Sequence, residues 1–337
     1  MKGLKADTNK LSDAAEALQE GLLKRVVGQE RAVRQFVKTY EMFTAGLNEP
    51  GRPLANLLFL GPSGVGKTRI VEAAAEILFG NDKAFIKIDC AEFQYGHEIA
   101  KLIGSPPGYL GHRETHPLIT QESLSAYHTD KLKLSFLLFD EIEKAAPAVH
   151  RLLLGMTDKA TLTLGDNRKV DLSHTVIILT SNLGSKDISN LMGGNGFGFH
   201  PNGDSHEALD KQIYETSMSE VKKHFAPELL GRLDRVVVFR PLSQESMRTI
   251  LDIELGKVQL RLLPILLSVS KKAKAFLLSE SDDAREGARH IKKSIRRFIT
   301  AQLSSLIATK QAETGDSVLV DREGSNKELS FFIEKLI

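Results

Sequence analysis

Residues 57–68 have the sequence LLFLGPSGVGKT. The apolar run 57–60 predicts a buried strand, and a helical pattern follows over 69–78. Glycines between a strand and a helix let backbone N–H groups turn inward around a phosphate, to which the helix N-terminus presents its positive dipole end. We expect Lys67 to reach the β- and γ-phosphates of ATP and the Thr68 hydroxyl to hold Mg²⁺. The loop residues assigned to nucleotide binding are Gly61, Pro62, Ser63, Gly64, Val65, Gly66, Lys67 and Thr68.

Length and composition limit the classes of protein that fit. The 337 residues are long for one core and favour two domains. The net charge of +2 gives no polyanion-binding surface, so no nucleic-acid partner is expected. No apolar run approaches the roughly 18 residues of a membrane span, and the charged first ten residues do not resemble a secretory signal. The single cysteine, Cys90, fits a reducing compartment, and we expect a cytoplasmic protein without a membrane partner.

Strand and helix patterns alternate up to Pro241. This alternation predicts an α/β fold with a mainly parallel five-stranded sheet flanked by helices. The strand candidates are 57–60, 85–88, 136–139, 176–179 and 236–239. Beyond Pro241, helical patterns over 243–267, 270–278 and 288–309 and a strand pair near 317–320 and 329–332 predict a smaller, mainly helical domain. We therefore expect an N-terminal helical extension over 1–25, a large domain over 26–241 and a small domain over 242–337.

Polar side chains end two of these predicted strands. Asp140 and Glu141 follow the run Phe136–Phe139, and a parallel sheet delivers such carboxylates to the mouth of the phosphate-binding loop. We expect Asp140 to hold Mg²⁺ and Glu141 to polarise the attacking water as general base. Asn182 follows the run 176–179 and can point at the γ-phosphate, although an ordinary turn after a strand explains the same residues equally well.

Segments spread along the chain resemble one protein family. The chain is similar to the second ATPase module of the Clp-type AAA+ unfoldases and disaggregases. The matching segments include VVGQERAV at 26–33, GSPPGYLGH at 104–112, LLFDEIEKAAPAVHRLLL at 137–154, FAPELLGRLDRVVVFRPLS at 225–243 and GARHIKKSIRR at 287–297. The resemblance implies a ring, most simply a homohexamer.

The resemblance also implies roles for individual residues. Asn182 corresponds to the sensor of the γ-phosphate, and Arg232 to an arginine finger that acts on the nucleotide of the next subunit. Arg289 corresponds to a second sensor at the start of a helix in the small domain. Val26 and Val27 correspond to the residues that contact adenine. Tyr109 corresponds to the pore-loop aromatic that grips the substrate chain.

The resemblance predicts that ATP hydrolysis drives the unfolding, disaggregation or remodelling of polypeptides threaded through the ring. An alternative is an assembly factor or regulator that acts on one dedicated protein partner. In this case the ATP cycle switches the factor between two states and no polypeptide is threaded. A nucleic-acid motor is a third class, but the charge balance and the absence of a basic arm argue against it. A protease or adaptor partner stays open, since the loop Gly193–Phe199 occupies the place where protease-docking relatives present a Gly–Phe tripeptide.

Overall fold

The computed structural model describes residues 7, 10–108, 116–185, 187–188, 206–280, 287–324 and 328–335. The chain divides into two compact units. The first unit comprises residues 1–61 with 66–240, and the second comprises residues 62–65 with 241–337. Tyr109 and the loop Gly193–Phe199 lie outside the described residues.

A five-stranded parallel sheet forms the centre of the first unit. Its strands are β1 (Ala55–Leu60), β2 (Ile86–Asp89), β3 (Ser135–Asp140), β6 (Thr175–Ser181) and β7 (Arg235–Val238). Their order across the sheet is β2-β3-β6-β1-β7, and every neighbouring pair is parallel. The predicted sheet is therefore confirmed, with each strand shifted or extended by one to three residues.

Helices account for most of the remaining described chain. In the first unit they are α1 (Asp13–Arg25), α2 (Glu30–Thr44), α3 (Lys67–Phe79), α4 (Ala100–Ile103), α5 (Gln121–Ser125), α6 (Pro147–Lys159), α7 (His206–His224) and α8 (Pro227–Leu230). In the second unit they are α9 (Gln244–Leu262), α10 (Lys271–Ser279), α11 (Ala288–Ile295) and α12 (Ala301–Ala308). A π-helical segment, Arg296–Thr300, joins the last two. Within the described part of the chain, none of the helices has both the length and the apolar character needed to cross a membrane.

The central strands are hydrophobic because both faces of the sheet are covered. All residues of β1 and β6 are buried, and β3 is buried up to its last residue, Asp140. Apolar side chains of α6, including Val149 and Leu153, pack into the same core as Leu58 and Phe139 of the sheet. The strands that are buried on both faces are mostly apolar, and Asp140 follows such an apolar run at the end of β3.

The second unit contains a sheet that the sequence patterns predict only in part. The expected strand pair is present as β9 (Ser317–Asp321) and β10 (Ser330–Glu334), but a third strand, β8 (Leu266–Val269), pairs with β9. The prediction of helix through residue 267 was therefore wrong. Helix α9 ends at Leu262, and Pro264 cannot continue a helix because it lacks an amide hydrogen.

A short hairpin of the first unit was also not predicted. It pairs β4 (Thr161–Thr163) with β5 (Lys169–Asp171) in antiparallel register. The Gly165 amide in its turn donates to the carbonyl of Ile103 at 2.8 Å. A Cβ on Gly165 would lie 2.5 Å from the carbonyl oxygen of Gly104, so only glycine fits at this approach.

Candidate functional site

Three neighbouring strands end at one edge of the parallel sheet. Strand β6 lies between β3 and β1, with Phe139 opposite Leu179 and Leu60 opposite Ser181. The phosphate-binding loop follows β1, Asp140 and Glu141 follow Phe139, and Asn182 follows β6. In open parallel sheets, ligands bind outside these carboxyl ends. The edge thus brings together Lys67, Asp140, Glu141 and Asn182 of the predicted site.

The turn between β1 and α3 requires glycine at both ends. Gly61 has φ 144°, and a Cβ there would lie 2.5 Å from the carbonyl oxygen of Phe239. Gly66, at φ 110°, is the residue immediately before helix α3. The Lys67 ammonium donates to the Gly61 carbonyl at 2.6 Å, which holds its positive charge at the loop. Backbone amides, a helix N-terminus and an ammonium group are therefore available to an anionic phosphate.

Asp140 is a nearly buried carboxylate with two partners on neighbouring strands. The ammonium of Lys87, on β2, lies 2.7 Å from its Oδ2, and the hydroxyl of Thr180, on β6, donates to its Oδ1 at 2.5 Å. Burial raises the pKa of Asp140, but the hydrogen bonds from Lys87 and Thr180 and the charges of Lys87 and Lys67 outweigh it. The pKa of this carboxyl therefore lies below its usual value, and the group is ionised at neutral pH.

Glu141 adopts a backbone conformation that is unusual for its residue type. Its φ of 56° and ψ of 50° place it in the left-handed region. The Glu141 amide donates to the Thr180 hydroxyl at 3.1 Å, and the Glu141 carboxylate accepts a hydrogen bond from Lys144. The two adjacent carboxylates thus have different partners: Lys87 and Thr180 for Asp140, and Lys144 for Glu141.

Glu143 connects the segment after β3 with the segment after β6. The backbone N–H of Asn182 donates to Glu143 Oε1 at 3.3 Å. His224 Nε2, at the end of α7, lies 3.1 Å from the carbonyl oxygen of Glu143. The second carboxylate oxygen of Glu143 is buried and has no hydrogen-bond partner among the described residues. Asn182 itself is exposed, so its side chain is accessible to a ligand.

Val26 and Val27, the residues that the resemblance assigns to adenine contact, lie in the first unit. Val26 is buried, and a Cβ on Gly66 would lie 3.8 Å from its Cγ1, while Val27 is half-buried. Gln29 fixes the segment that follows, since its side-chain amide donates to the Arg240 carbonyl at 2.8 Å and accepts from the Arg240 amide at 3.1 Å.

Within the second unit, Arg289 donates to the Ser63 hydroxyl at 2.9 Å. The roles of Val26, Val27 and Arg289 stay predictions.

Arg232 does not join the other site residues. It precedes β7, beside the beginning of β1, where the Asn56 side-chain amide donates to the Arg232 carbonyl at 3.0 Å. The guanidinium donates to the Leu154 carbonyl at 2.8 Å and lies 3.6 Å from Asp158 Oδ2. Asn56 and Leu60 lie four residues apart on β1, so about 13 Å of strand separates the contact with Arg232 from the start of the phosphate-binding loop.

Lys87, Thr180 and Gln29 are site residues without a predicted role. Each lies inside a segment with ordinary strand or turn character, and its role appears only through contacts with residues distant in sequence. Cys90, which follows β2, is buried and is not in a disulfide. Burial, together with the charges of Asp140, Asp89 and other nearby acids, raises the pKa of its thiol, which is therefore not a nucleophile.

The fold and this edge define a class: a P-loop α/β domain of the ATP-hydrolysing type. Comparison with known proteins gives the family. Residues 52–236 match the AAA domain (Cdc48 subfamily), and residues 242–320 match the C-terminal, D2-small domain, of ClpB protein. The chain therefore belongs to the AAA domain family, as the sequence resemblance predicts, and nucleotide binding is a property of that family.

Individual relatives agree with this assignment. The ATP-dependent Clp protease ATP-binding subunit ClpC of Staphylococcus saprophyticus is 38% identical over 93% of this chain and 37% of its own length. The chloroplastic chaperone protein ClpD2 of Oryza sativa subsp. japonica is 37% identical over 96% of this chain and 34% of its own. A closed-state cryoEM reconstruction of Hsp104 with ATPγS and FITC casein superposes with a TM-score of 0.78 at 29% identity, covering 96% of this chain and 53% of that one. The chain thus spans about a third of the length of the curated relatives it matches.

Proposed function

We propose that this chain hydrolyses ATP at the carboxyl edge of its sheet and uses the energy to remodel polypeptides. The arrangement of Lys67, Asp140, Glu141 and Asn182 on three adjacent strand ends is the observation that carries the first half of this proposal. Phosphoryl transfer depends on positioning and on charge stabilisation, and these groups supply both. The second half rests on the similarity to ClpC, ClpD2 and Hsp104.

Asp140 and Thr68 would hold Mg²⁺. Their oxygen donors suit this ion, Asp140 is ionised, and few protein ligands are needed because Mg²⁺ keeps most of its water. Among the described residues, no cluster of three or more His, Cys, Asp or Glu side chains could hold a metal, which agrees with a site completed by ATP and water. When bound, the ion neutralises charge on the β- and γ-phosphate oxygens.

The protein groups then divide the work of hydrolysis. Lys67 and the loop amides hold the phosphates, and Asn182 orients the attacking water beside the γ-phosphate. Glu141 accepts the proton of that water as the oxygen attacks, which requires that its carboxylate be released from Lys144. The bond between the γ-phosphorus and the bridging oxygen breaks as the water oxygen attacks, and the products are ADP and inorganic phosphate.

Two substitutions separate binding from hydrolysis. Glu141→Gln keeps the loop and Lys67, so it should bind ATP with unchanged affinity while kcat falls about 100-fold or more, the loss expected for a general base. Lys67→Ala should lose affinity for ATP. Equilibrium binding of a fluorescent ATP analogue and steady-state release of phosphate measure the two effects. Wild-type turnover by Glu141→Gln would contradict the assignment of the base.

We further propose that the chain works as a ring in which Arg232 completes the site of the next subunit. The position of Arg232 at the opposite end of β1 from the phosphate-binding loop supports this proposal, because its guanidinium cannot span the strand to its own nucleotide. A planar guanidinium stabilises the charge that develops on the phosphoryl oxygens. The resemblance to the Clp proteins implies that this ring contains six identical subunits.

Threading is tested at Tyr109. We propose that this aromatic grips the substrate chain, as the resemblance to the Clp pore loop implies. An unfolded protein such as casein should stimulate the ATPase of the wild type, and Tyr109→Ala should abolish the stimulation while basal ATPase persists. ATPase activity that responds neither to casein nor to this substitution would instead favour an assembly factor switched by ATP on one partner.

A further inference from the structure

We propose that Thr180 is a positioning residue for hydrolysis, whose hydroxyl holds Glu141 in its left-handed backbone conformation and fixes one oxygen of Asp140. This inference rests on the roles proposed above for Asp140 and Glu141. Thr180 lies near the end of β6, the strand that Asn182 follows, and it is fully buried. It is therefore shielded from ligand and water, and it acts only through its neighbours.

The hydrogen bonds of this hydroxyl have a fixed direction. The Glu141 amide can only donate, and it does so to Thr180 Oγ1 at 3.1 Å. The ionised Asp140 carboxylate can only accept, so the hydroxyl proton points at Asp140 Oδ1, 2.5 Å away. One hydroxyl thus satisfies both partners at once, and valine, which has the same shape, satisfies neither.

Thr180 is well suited to fix a position. Its side chain is β-branched and restricted in χ1, and it stands on the middle strand of the sheet, opposite Phe59 of β1. The backbone of Glu141 adopts a left-handed conformation that is unfavourable for an L-residue and persists only where neighbours hold it. Because the amide of Glu141 is anchored to a rigid strand, the direction in which its carboxylate leaves the chain is also fixed.

The same hydroxyl couples the general base to the sensor. Thr180 lies on strand β6. Two residues later, the backbone N–H of Asn182 donates a hydrogen bond to the carboxylate of Glu143. The segment Asp140–Glu143 is therefore tied to the end of β6 by hydrogen bonds at Asp140, Glu141 and Glu143. A shift of this strand end moves the base and the sensor together.

The test compares Thr180→Val with Thr180→Ser, which removes one methyl group and keeps the hydroxyl. Thr180→Val should bind the fluorescent ATP analogue as the wild type does, while kcat falls about 100-fold, the effect of misplacing a catalytic group by about 1 Å. Thr180→Ser should restore most of kcat. Ser217→Ala removes another fully buried hydroxyl, bonded to the Ile213 carbonyl within α7, and serves as the matched control with wild-type kcat.

The split between kcat and ATP affinity adds a readout that a general loss of packing does not give. A misplaced base lowers kcat while Lys67 and the loop amides still hold the phosphates, so the affinity for ATP should stay unchanged in both Thr180→Val and Thr180→Ser. Thr180→Ala removes the hydroxyl without adding volume and replaces the valine variant if that variant does not fold.

Several outcomes overturn the proposal. One is wild-type kcat in Thr180→Val, and another is a kcat in Thr180→Ser as low as that of Thr180→Val. The third is a fall of kcat in Thr180→Val that comes with weaker ATP binding and a lower Tm. The proposed function fails separately if the wild type does not hydrolyse ATP or if Glu141→Gln turns over at the wild-type rate.

Discussion

Lys87 and Asp140 form an ion pair between the ends of two neighbouring strands. The ammonium of Lys87 is nearly half exposed, at 45%, whereas the Asp140 side chain is only 13% exposed. The carboxylate therefore carries most of the desolvation, and the lysine compensates it from the solvent side. The ammonium group of Lys87 thus keeps Asp140 ionised, and an ionised carboxylate is the form that can bind a divalent ion.

Lys87→Met should lower the free energy of unfolding at pH 7 by about 1 kcal/mol, a modest value because the lysine is half exposed. The native pKa of Asp140 lies below its usual value, so the ionised group stabilises the fold above about pH 4, and this stabilisation is lost as the pH falls through the lower native pKa. The difference between wild type and Lys87→Met should therefore shrink below about pH 4. Urea unfolding between neutral and acid pH measures it.

The matched control for this experiment is Lys211→Met. Lys211 lies 3.9 Å from Glu215 on α7, and both side chains are well exposed. Such a pair contributes little to stability. A pH-dependent difference of equal size in Lys211→Met would contradict the assignment of the effect to Asp140.

Asn56 is a second residue whose side chain joins distant parts of the first unit. Its buried amide donates to the carbonyls of Thr157 and Arg232 at 3.1 and 3.0 Å. Asn56→Ala should lower the free energy of unfolding by about 2–4 kcal/mol, because two carbonyls lose their donor. Asn56→Asp should be more destabilising still, since a carboxylate would face the same two oxygens. Chemical denaturation measures both, and an aspartate variant more stable than the alanine variant would contradict this account.

At the scale of elements, the hairpin β4–β5 is fixed to the segment after α4. The amides of Leu118 and Ile119 donate to the carbonyls of Lys101 and Leu102, and Gly165 in the hairpin turn donates to Ile103. These bonds close the base of the segment 104–117, which includes Tyr109. The hairpin therefore supports the stem of the proposed substrate-binding loop.

Gly165→Ala tests this packing. The new Cβ meets backbone atoms of Gly104 and Ser105, which cannot move as a side chain can, so we expect a loss of about 1–3 kcal/mol in the free energy of unfolding. Gly155→Ala is the control, because Gly155 lies in α6, and beyond its own helical backbone no atom of the described residues comes within 4 Å of its Cβ position. Alanine there should stabilise by about 0.5–1 kcal/mol. Urea denaturation of both variants should give opposite signs, and equal effects would contradict the close approach.

The sequence predicts long, strongly patterned elements better than short ones. All five strands of the large sheet were expected, because buried apolar runs bounded by turns and helices give a clear local signal. Strand β8 was not, since a short apolar run after a helix has the same pattern whether it continues the helix or pairs with a strand. The three-residue strands β4 and β5 carry no usable period.

The same limit applies to the site. Motifs such as GPSGVGKT and the acidic pair after an apolar run are local, so the sequence could predict that Lys67, Asp140 and Glu141 lie at one edge of the sheet. The contacts of Lys87 and Thr180 with Asp140 depend on strand register between segments about 40 to 50 residues apart, which no local pattern encodes. The structure supplies the register, and the contacts of Lys87 and Thr180 with Asp140 follow from it.

At the scale of the whole molecule, the two units have separate hydrophobic cores. One is built on the large sheet and helix α6. The other packs α9 to α12 against the small sheet, through residues such as Leu251, Ile295 and Val318. The chemistry proposed for the first unit requires one group that its own edge does not contain, the guanidinium of Arg232, which lies at the other end of β1. Such a division of one site between two ends of a domain is satisfied when identical copies associate head to tail in a closed ring.

Mixing two inactive variants tests this arrangement. Glu141→Gln lacks the base but has Arg232, and Arg232→Ala lacks the finger but has the base, so each alone should retain about 1% of wild-type kcat or less. In a ring assembled from equal amounts of both, about a quarter of the interfaces place an intact Arg232 against an intact Glu141, and activity should return in proportion. Phosphate release after co-assembly measures the recovery.

The control mixture is Glu141→Gln with Lys67→Ala. Both of these variants supply an intact Arg232 and both have a defective site on the carboxyl edge, so no interface in the mixed ring is complete. We expect recovery in the first mixture and none in the second, together with a wild-type specific activity that rises with protein concentration. If the first mixture stays as inactive as its parts, Arg232 does not act between subunits, and its bonds to Leu154 and Asp158 are then structural contacts within one chain.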